Sequence, residues 1–211
     1  MSGEPLEEAK LASIVSYLEF VREKNEDVNL TADAGWDDLV LKHASDGIFA
    51  ASVLRPLLPP NPRILDLGSG AGFIGIVLKL VWPEAEVTLM ESVERKYRFL
   101  NAAATRTGLK GLRVLNRRAG SGAALTSYEL GQDLVIERAL AELPEAIRLA
   151  WPMLAPKGLF AAFQSDEPDP REPALAKSLA ATGATVLKSC RYRRPGEARD
   201  RRLVLFARRE D

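Results

Sequence analysis

A short apolar run that ends in glycines is the feature of this sequence that most restricts its fold. Residues 63–67 read Arg-Ile-Leu-Asp-Leu, and residues 68–75 carry four glycines before an apolar stretch that reaches residue 81. An apolar run bounded by turn residues predicts a buried parallel strand, and the stretch after it predicts a helix. Ligands of parallel sheets bind outside the carboxyl ends of the strands, so this turn also predicts where a ligand lies.

Strand and helix patterns alternate along the rest of the chain. The last two predicted strands are joined by a polar loop, which predicts an antiparallel hairpin. We therefore expect an α/β fold with a doubly wound, mostly parallel, seven-stranded sheet. The predicted strands are 63–67, 86–90, 112–116, 133–137, 159–163, 185–192 and 202–207, and the predicted helices among them are 73–81, 93–107, 143–153 and 174–181.

The chain before the first strand has a helical pattern. Apolar residues recur three and four positions apart between residues 6 and 21, which predicts an amphipathic helix. A second helix is predicted over residues 36–58, where two prolines end it. We therefore divide the chain into an N-terminal helical cap, residues 1–60, and a ligand-binding domain, residues 61–211, and expect them to form one compact unit.

Composition excludes several classes of protein. Hydrophobic residues make up 46% of the chain and charged residues 27%, as in ordinary globular proteins, and no run approaches the ~20 apolar residues of a membrane span. Residues 1–10 are acidic and lack an apolar core, so no secretory signal is expected. A single cysteine, Cys190, and a single histidine, His43, exclude a disulfide framework and disfavour a zinc site. We expect a cytoplasmic protein with no membrane partner and no metal.

The charges are unevenly distributed although they sum to zero. Residues 1–38 hold ten acids and three bases, whereas residues 188–209 hold nine bases and two acids. A segment with an excess of positive charge attracts a polyanion locally even when the whole molecule is neutral. Residues 188–209, which we call the basic segment, are therefore either a nucleic-acid-binding surface or a solvated loop and strand pair.

The glycine turn matches the patterns of two ligands. Gly70, Gly72 and Gly75 fit the G-x-G-x-x-G pattern of dinucleotide-binding proteins, and the same turn with Asp66 and Gly68 fits the D-x-G-x-G-x-G turn of methyltransferases. A dinucleotide places an anionic pyrophosphate at the helix N-terminus, where a carboxylate at Asp66 would repel it. S-adenosyl-L-methionine has no phosphate and carries a sulfonium and an ammonium group, which an acid favours. The charge of Asp66 therefore favours S-adenosyl-L-methionine, unless this residue only caps a helix.

Glu91 is a second candidate ligand-binding acid. It ends the second predicted strand, 23 residues after Gly68. An acid at this position can accept hydrogen bonds from both hydroxyls of a ribose. Both candidate ligands contain that ribose, so Glu91 supports an adenosine ligand without separating them. The alternative is that Glu91 is an exposed acid at the end of the strand and binds no ligand.

With these residues in view, the sequence resembles the ribosomal RNA small subunit methyltransferase G family, also called glucose-inhibited division protein B. The resemblance extends from about Tyr17 to the C-terminus. The Asn-Leu-Thr element ahead of a histidine-bearing helix is its most specific part. The matching segments are Asn29-Leu30-Thr31, Lys42-His43-Ala44-Ser45-Asp46, Ile64 to Phe73, Val87 to Ser92, Arg98-Phe99-Leu100 and Arg138-Ala139.

The resemblance implies a class I, Rossmann-like methyltransferase that transfers a methyl group from S-adenosyl-L-methionine to the N7 atom of a guanine in small-subunit (16S) ribosomal RNA. It implies that the methyl donor lies against Gly68 and Phe73, with Asp66 and Gly70 in the same turn. The adenine would lie near Ala119 and Gly120, after the third strand. RNA binding would rest on the basic segment and on the arginines near the third strand, Arg113, Arg117 and Arg118.

The resemblance also places three side chains at the pocket mouth. Arg138 follows a predicted strand and would contact the donor or the guanine, although a salt bridge with Glu137 or Glu142 is the alternative. His43 and Asp46 would approach from the cap; a histidine bonded to a neighbouring carbonyl is the alternative for His43. Guanine N7 keeps its lone pair at neutral pH, so alignment alone can drive the transfer and the sequence nominates no catalytic acid or base.

Three other functions stay open at this point. The chain could methylate a small molecule or a protein, as zero net charge allows. It could be a degenerate donor-binding domain without turnover, since Ile74 and Gln164-Ser165 depart from the family pattern. It could be a nicotinamide-dependent oxidoreductase, which Asp66 disfavours.

Overall fold

In the computed structural model, which describes residues 6–209, seven strands form one sheet. They are β1 (Arg63–Leu67), β2 (Glu86–Glu91), β3 (Leu112–Asn116), β4 (Gln132–Arg138), β5 (Leu154–Gln164), β6 (Ala184–Tyr192) and β7 (Arg201–Arg208). Their order is β3-β2-β1-β4-β5-β7-β6. β7 is antiparallel to both of its neighbours, and the other strand pairs are parallel. The predicted seven-stranded, mostly parallel sheet and its terminal hairpin are confirmed.

Helices surround the sheet and precede it. They are α1 (Glu8–Val28), α2 (Trp36–Asp38), α3 (Ser45–Leu54), α4 (Gly75–Val81), α5 (Glu94–Thr107), α6 (Leu143–Ala150) and α7 (Pro173–Thr182). A π-helix, Leu39–Ala44, joins α2 to α3, and single 3₁₀ turns follow α3 and α6. Within residues 6–209, no helix is both long and apolar enough to cross a membrane.

Two hydrophobic clusters cover the two faces of the sheet. Ile64 lies in the cluster that contains α1, α3 and α4, whereas its neighbour Leu65 lies in the cluster beneath α6 and α7. Because both faces are covered, the adjacent residues Ile64 and Leu65 of β1 are both apolar, which is why the sequence does not alternate there between apolar and polar residues. α1 and β1 contribute to the same core, and the division of the chain at residue 60 stays a prediction.

Several element boundaries differ from the sequence prediction, and α1 in particular continues to Val28 rather than ending at residue 21. Two of the differences lie in the ligand-binding domain and exceed one residue. The helix after the glycine turn begins at Gly75 rather than Phe73, because the turn continues through Ile74. β5 begins at Leu154, five residues early, because Leu154 pairs with Gln132 before the register shifts. Neither difference moves the carboxyl ends of the parallel strands, where the candidate site lies.

Candidate functional site

Asp66 is buried beneath the glycine turn. Its Oδ2 accepts the N–H of Gly75, the first residue of α4, at 2.9 Å, and only 2% of the residue is exposed. Burial raises the pKa of this carboxyl to about 6. The carboxylate therefore faces the start of α4, as the helix-capping alternative expects, and direct contact between Asp66 and a ligand stays a prediction.

Glu91 closes the glycine turn from the end of β2. Its Oε2 accepts the Gly70 N–H at 2.9 Å, and its Oε1 accepts the Val93 N–H at 2.7 Å. Glu91 is buried rather than an exposed strand end. Each carboxylate oxygen can accept a second hydrogen bond. The arrangement therefore retains capacity for the two hydroxyls of a ribose.

A cleft of ≈400 Å³ opens at the carboxyl ends of β1 and β2, and we call it the turn cleft. Gly68 has φ +75°, and a Cβ there would lie 2.5 Å from Cδ1 of Leu140, so a glycine is required. The size and mixed lining suit an adenosine-sized ligand. The cleft is lined by Leu67, Gly68, Met90, Ser92, Arg117, Arg118, Ala119, Gly120, Leu140, Ala141, Glu145 and Leu149.

A second cavity of ≈260 Å³ lies at the carboxyl ends of β4 and β5, and we call it the β4 pocket. Ala141 lines both cavities, so the turn cleft and the β4 pocket adjoin. Ala139, between β4 and Ala141, has φ 58°, an unfavourable backbone conformation for alanine. The pocket is lined by Glu137, Arg138, Ala139, Ala141, Glu142, Leu143, Phe163, Gln164, Ser165, Tyr192, Arg194 and Arg201.

Asp46, fully buried on α3, joins the cap to the sheet. Its Oδ2 accepts a hydrogen bond from Nη1 of Arg138 at 2.8 Å. Its Oδ1 accepts hydrogen bonds from the Tyr192 hydroxyl at 2.6 Å and from Nε of Arg194 at 2.9 Å. The alternative pairing of Arg138 with Glu137 or Glu142 is wrong, because the guanidinium turns toward the cap, where a buried carboxylate needs a partner.

His43 lies between Phe73 and Arg138. Its ring stacks on Phe73 with centroids 4.1 Å apart, its Nδ1 lies 3.1 Å from Nη2 of Arg138, and its Nε2 lies 3.2 Å from the Thr31 hydroxyl. A guanidinium only donates, so Nδ1 accepts and Nε2 carries the proton. Burial, together with the charge of Arg138, lowers the pKa of His43 to about 4. His43 is therefore neutral at pH 7, and it bonds these two side chains rather than a neighbouring carbonyl.

The Asn-Leu-Thr element explains how His43 is held. Asn29 ends α1 with φ 53°, and the side-chain oxygen of Asn25 accepts the N–H groups of Leu30 and Thr31 at 2.8 and 2.9 Å. These bonds fix Thr31 beside His43. His43 itself lies in the π-helix, a geometry common at functional sites.

The cap also contacts the glycine turn directly. The Tyr17 hydroxyl on α1 donates to the Ala71 carbonyl at 2.7 Å, and both residues are buried. Tyr17 further packs edge-on against Phe73. The position of the turn thus depends on α1.

Sequence reasoning missed Glu137, Tyr192 and Arg194 as site residues. Tyr192 and Arg194 meet Asp46 across 146 and 148 positions, and no local pattern reports such contacts. Glu137 had one signal, which is an acid directly after the apolar run Leu134-Val135-Ile136 of β4.

The basic segment is partly neutralised by the fold. Of its nine bases, five form ion pairs with acids within residues 6–209. The pairs are Arg191 and Arg193 with Asp200, Arg194 with Asp46 and Glu197, Arg201 with Glu197, and Arg202 with Glu167. Two of the arginines near β3 are also paired: Arg117 with the buried Glu129 at 2.7 Å, and Arg113 with Glu86 at 3.7 Å.

The part of the chain that the structure describes contains no cluster of three or more histidine, cysteine or acidic side chains able to hold a metal ion. Cys190 lies half-buried in β6.

Comparison with known proteins gives consistent results. The profile of the family described as rRNA small subunit methyltransferase G (GidB) matches residues 10–194. Ribosomal RNA small subunit methyltransferase G of Geobacter sp. (strain M21) is 32% identical over 206 residues, which cover 98% of this chain and 92% of that protein.

Two solved structures show the fold. Precorrin-6y C5,15-methyltransferase from Geobacter metallireducens GS-15 has a TM-score of 0.59 at 13% identity and covers 78% of this chain and 88% of its own. M. jannaschii TYW2 in complex with AdoMet has a TM-score of 0.56 at 14% identity, with coverages of 76% and 74%.

Proposed function

Because the chain belongs to the rRNA small subunit methyltransferase G family, we propose that it transfers a methyl group from S-adenosyl-L-methionine to N7 of a guanine in small-subunit (16S) ribosomal RNA. Membership of this family also decides between the two ligands that the glycine turn allows, in favour of the methyl donor. The observation that carries the proposal is that the turn cleft and the β4 pocket meet at Ala141. A donor in the first cavity and a base in the second would share that boundary.

The turn cleft would hold the donor. Glu91 would accept the ribose hydroxyls with its remaining lone pairs, and the adenine would lie beside Ala119 and Gly120. A Cβ on Gly70 would meet no atom within 4 Å, so the backbone there is open to a ligand. When bound, S-adenosyl-L-methionine supplies a methyl carbon attached to a positively charged sulfur.

The β4 pocket would receive the guanine. Its N7 lone pair is available at neutral pH, so the chain has to align the base with the methyl group, and such positioning contributes ~7–11 kcal/mol. Arg138 lines this pocket and has donors beyond those given to Asp46 and His43, which suit guanine O6 or a phosphate. His43 is a positioning residue, because both ring nitrogens are engaged. Phe73 supports the His43 ring from below.

The basic segment would bind the RNA backbone. Lys188 and Arg199 are exposed and have no ion pair within residues 6–209. Phosphate contacts from such residues would provide affinity, while the splayed guanine would provide specificity. This function would place the protein in the cytoplasm, where small subunits are assembled.

Methylation of isolated ribosomal subunits tests the proposal. Small subunits from cells that lack this chain would be incubated with the purified protein and labelled S-adenosyl-L-methionine, and the nucleosides analysed by mass spectrometry. We expect one 7-methylguanosine per small subunit and none in large subunits. Label in protein or in small molecules, or tight donor binding without transfer, would contradict the proposal.

Arg138→Lys and Arg148→Lys form a matched pair for this assay. Arg138 lines the β4 pocket, whereas Arg148 is exposed on α6, and its one ion pair among the described residues is with Glu145. Because lysine cannot reproduce the guanidinium fork, we expect Arg138→Lys to slow transfer about 100-fold, and Arg148→Lys to have no effect.

A further inference from the structure

Glu137 is a buried acid with one of its two carboxylate oxygens unpartnered within residues 6–209. It is fully buried at the end of β4, and its Oε2 accepts the Leu140 N–H at 3.0 Å. Its Oε1 is buried and has no hydrogen-bond partner among residues 6–209. A buried carboxylate oxygen without a partner is costly, so a partner is expected in the functional state.

Glu137 lies where the two cavities adjoin. It lines the β4 pocket, and Leu140, to which it is bonded, lines the turn cleft and lies against Gly68. In the sheet, Asp66 of β1 is paired with Ile136 of β4. Glu137 follows Ile136 and therefore lies one residue closer to the carboxyl ends of the strands than Asp66 does. Oε1 of Glu137 therefore lies at the boundary that a bound methyl donor and a bound guanine would share.

The cations around the β4 pocket are committed to other acids. Arg138 bonds Asp46, Arg194 bonds Asp46 and Glu197, and Arg201 bonds Glu197. Burial and the charge of Asp66 raise the pKa of Glu137 to about 7, as expected for an acid without a cation beside it. The missing partner is therefore not supplied by the described side chains of this pocket.

Of the two ligands of the proposed function, only one offers a cation to this oxygen. A splayed guanine has only neutral N–H donors, on N1 and N2, whereas a buried carboxylate is stabilised most by a charged donor. The amino-acid tail of the methyl donor carries an ammonium group with three donors. We propose that Glu137 binds the ammonium group of S-adenosyl-L-methionine; the identity of this ligand rests on the proposed function.

Donor analogues that differ only in this group test the inference. The affinities of S-adenosylhomocysteine and its des-amino analogue would be measured by calorimetry for the wild type and Glu137→Gln. Glu137→Gln removes a hydrogen bond between charged groups only from the complex with S-adenosylhomocysteine, so we expect the affinity for this ligand to fall about 10-fold to 100-fold. The affinity for the des-amino analogue should change less than about 2-fold. Equal losses for the two ligands, or no loss, would overturn the inference.

Two further variants control this measurement. Glu142→Gln removes an exposed acid from the same pocket, and we expect both affinities to stay unchanged. Glu137→Asp keeps the charge on a shorter side chain, so it should bind S-adenosylhomocysteine better than Glu137→Gln does. Since no RNA is used, failure to methylate small subunits would overturn the proposed function without affecting this result.

Discussion

Asp46 is the residue on which most of the site depends. Three side chains from two distant parts of the chain donate to its carboxylate, and it is fully buried. An ionised carboxylate is tolerated in such a place only because Arg138 and Arg194 offset its charge. Asp46 therefore holds Arg138 in position at the edge of the β4 pocket.

Replacing Asp46 should be strongly destabilising. Asp46→Asn removes the charge that faces both Arg138 and Arg194, and only Arg194 retains another acid, Glu197. We expect the free energy of unfolding to fall by about 3–5 kcal/mol. Urea denaturation would measure this change. Asp38→Asn is the control, since its ion pair with Lys42 is more exposed and should contribute below about 1 kcal/mol. Similar losses in the two variants would contradict the role assigned to Asp46.

The protonation of His43 can be measured without resonance assignment, because it is the only histidine in the sequence. The folded pKa of about 4 lies below the ordinary value of 6.5. The unfolded chain therefore takes up the proton first, and this residue should reduce stability as the pH falls from about 6.5 to about 4. We expect the imidazole NMR signals to titrate near pH 4. A midpoint near 6.5 would show that the ring is not enclosed by Phe73 and Arg138.

At the scale of elements, the glycine turn depends on Gly68. Both its positive φ and its contact with Leu140 require the absence of a side chain. Gly183 provides a comparison, because it also has a positive φ, at the end of α7, yet a Cβ there would meet no atom within 4 Å.

Gly68→Ala should impair the turn cleft, whereas Gly183→Ala should not. Both variants incur backbone strain of about 1–2 kcal/mol. Only Gly68→Ala also displaces Leu140, so we expect its affinity for S-adenosylhomocysteine to fall more than about 10-fold. Thermal unfolding and calorimetry would measure the two effects. Equal ligand affinities in the two variants would contradict the placement of the donor in this cleft.

The elements of this fold were largely predictable from the sequence, but the contacts within the site were not. β1, α5 and the final hairpin follow from apolar runs, periodicity and turn residues, and Gly108 ends α5 with φ 61° as predicted. Asp66 illustrates the limit, since a motif fixes its position but not the direction of its carboxylate. The partner of Arg138 was missed because Asp46 lies 92 positions away on a cap helix.

At the scale of the whole molecule, the distribution of charge differs from what the sequence alone suggests. The basic segment holds nine bases, but intramolecular ion pairs leave only four of them without an acidic partner among the described residues. Any electrostatic attraction of RNA by this segment therefore depends on fewer cations than the count implies.

The salt dependence of RNA binding should reflect this smaller number. With about four available bases, the logarithm of affinity should fall with the logarithm of salt with a slope of about −3, rather than about −7 for nine. Arg199→Gln should reduce the slope by about 1, and Arg148→Gln, on α6, should leave it unchanged. Fluorescence anisotropy between low and physiological salt would measure this. An affinity independent of salt would exclude the basic segment as the RNA-binding surface.

The bonds of Asp46 also bear on the order in which a ribosome makes this protein. Asp46 emerges from the exit tunnel well before Tyr192 and Arg194, because synthesis proceeds from the N-terminus. Until then, the carboxylate of Asp46 lacks two of its three partners. The β4 pocket is therefore complete only after Arg201, its last lining residue, has left the tunnel.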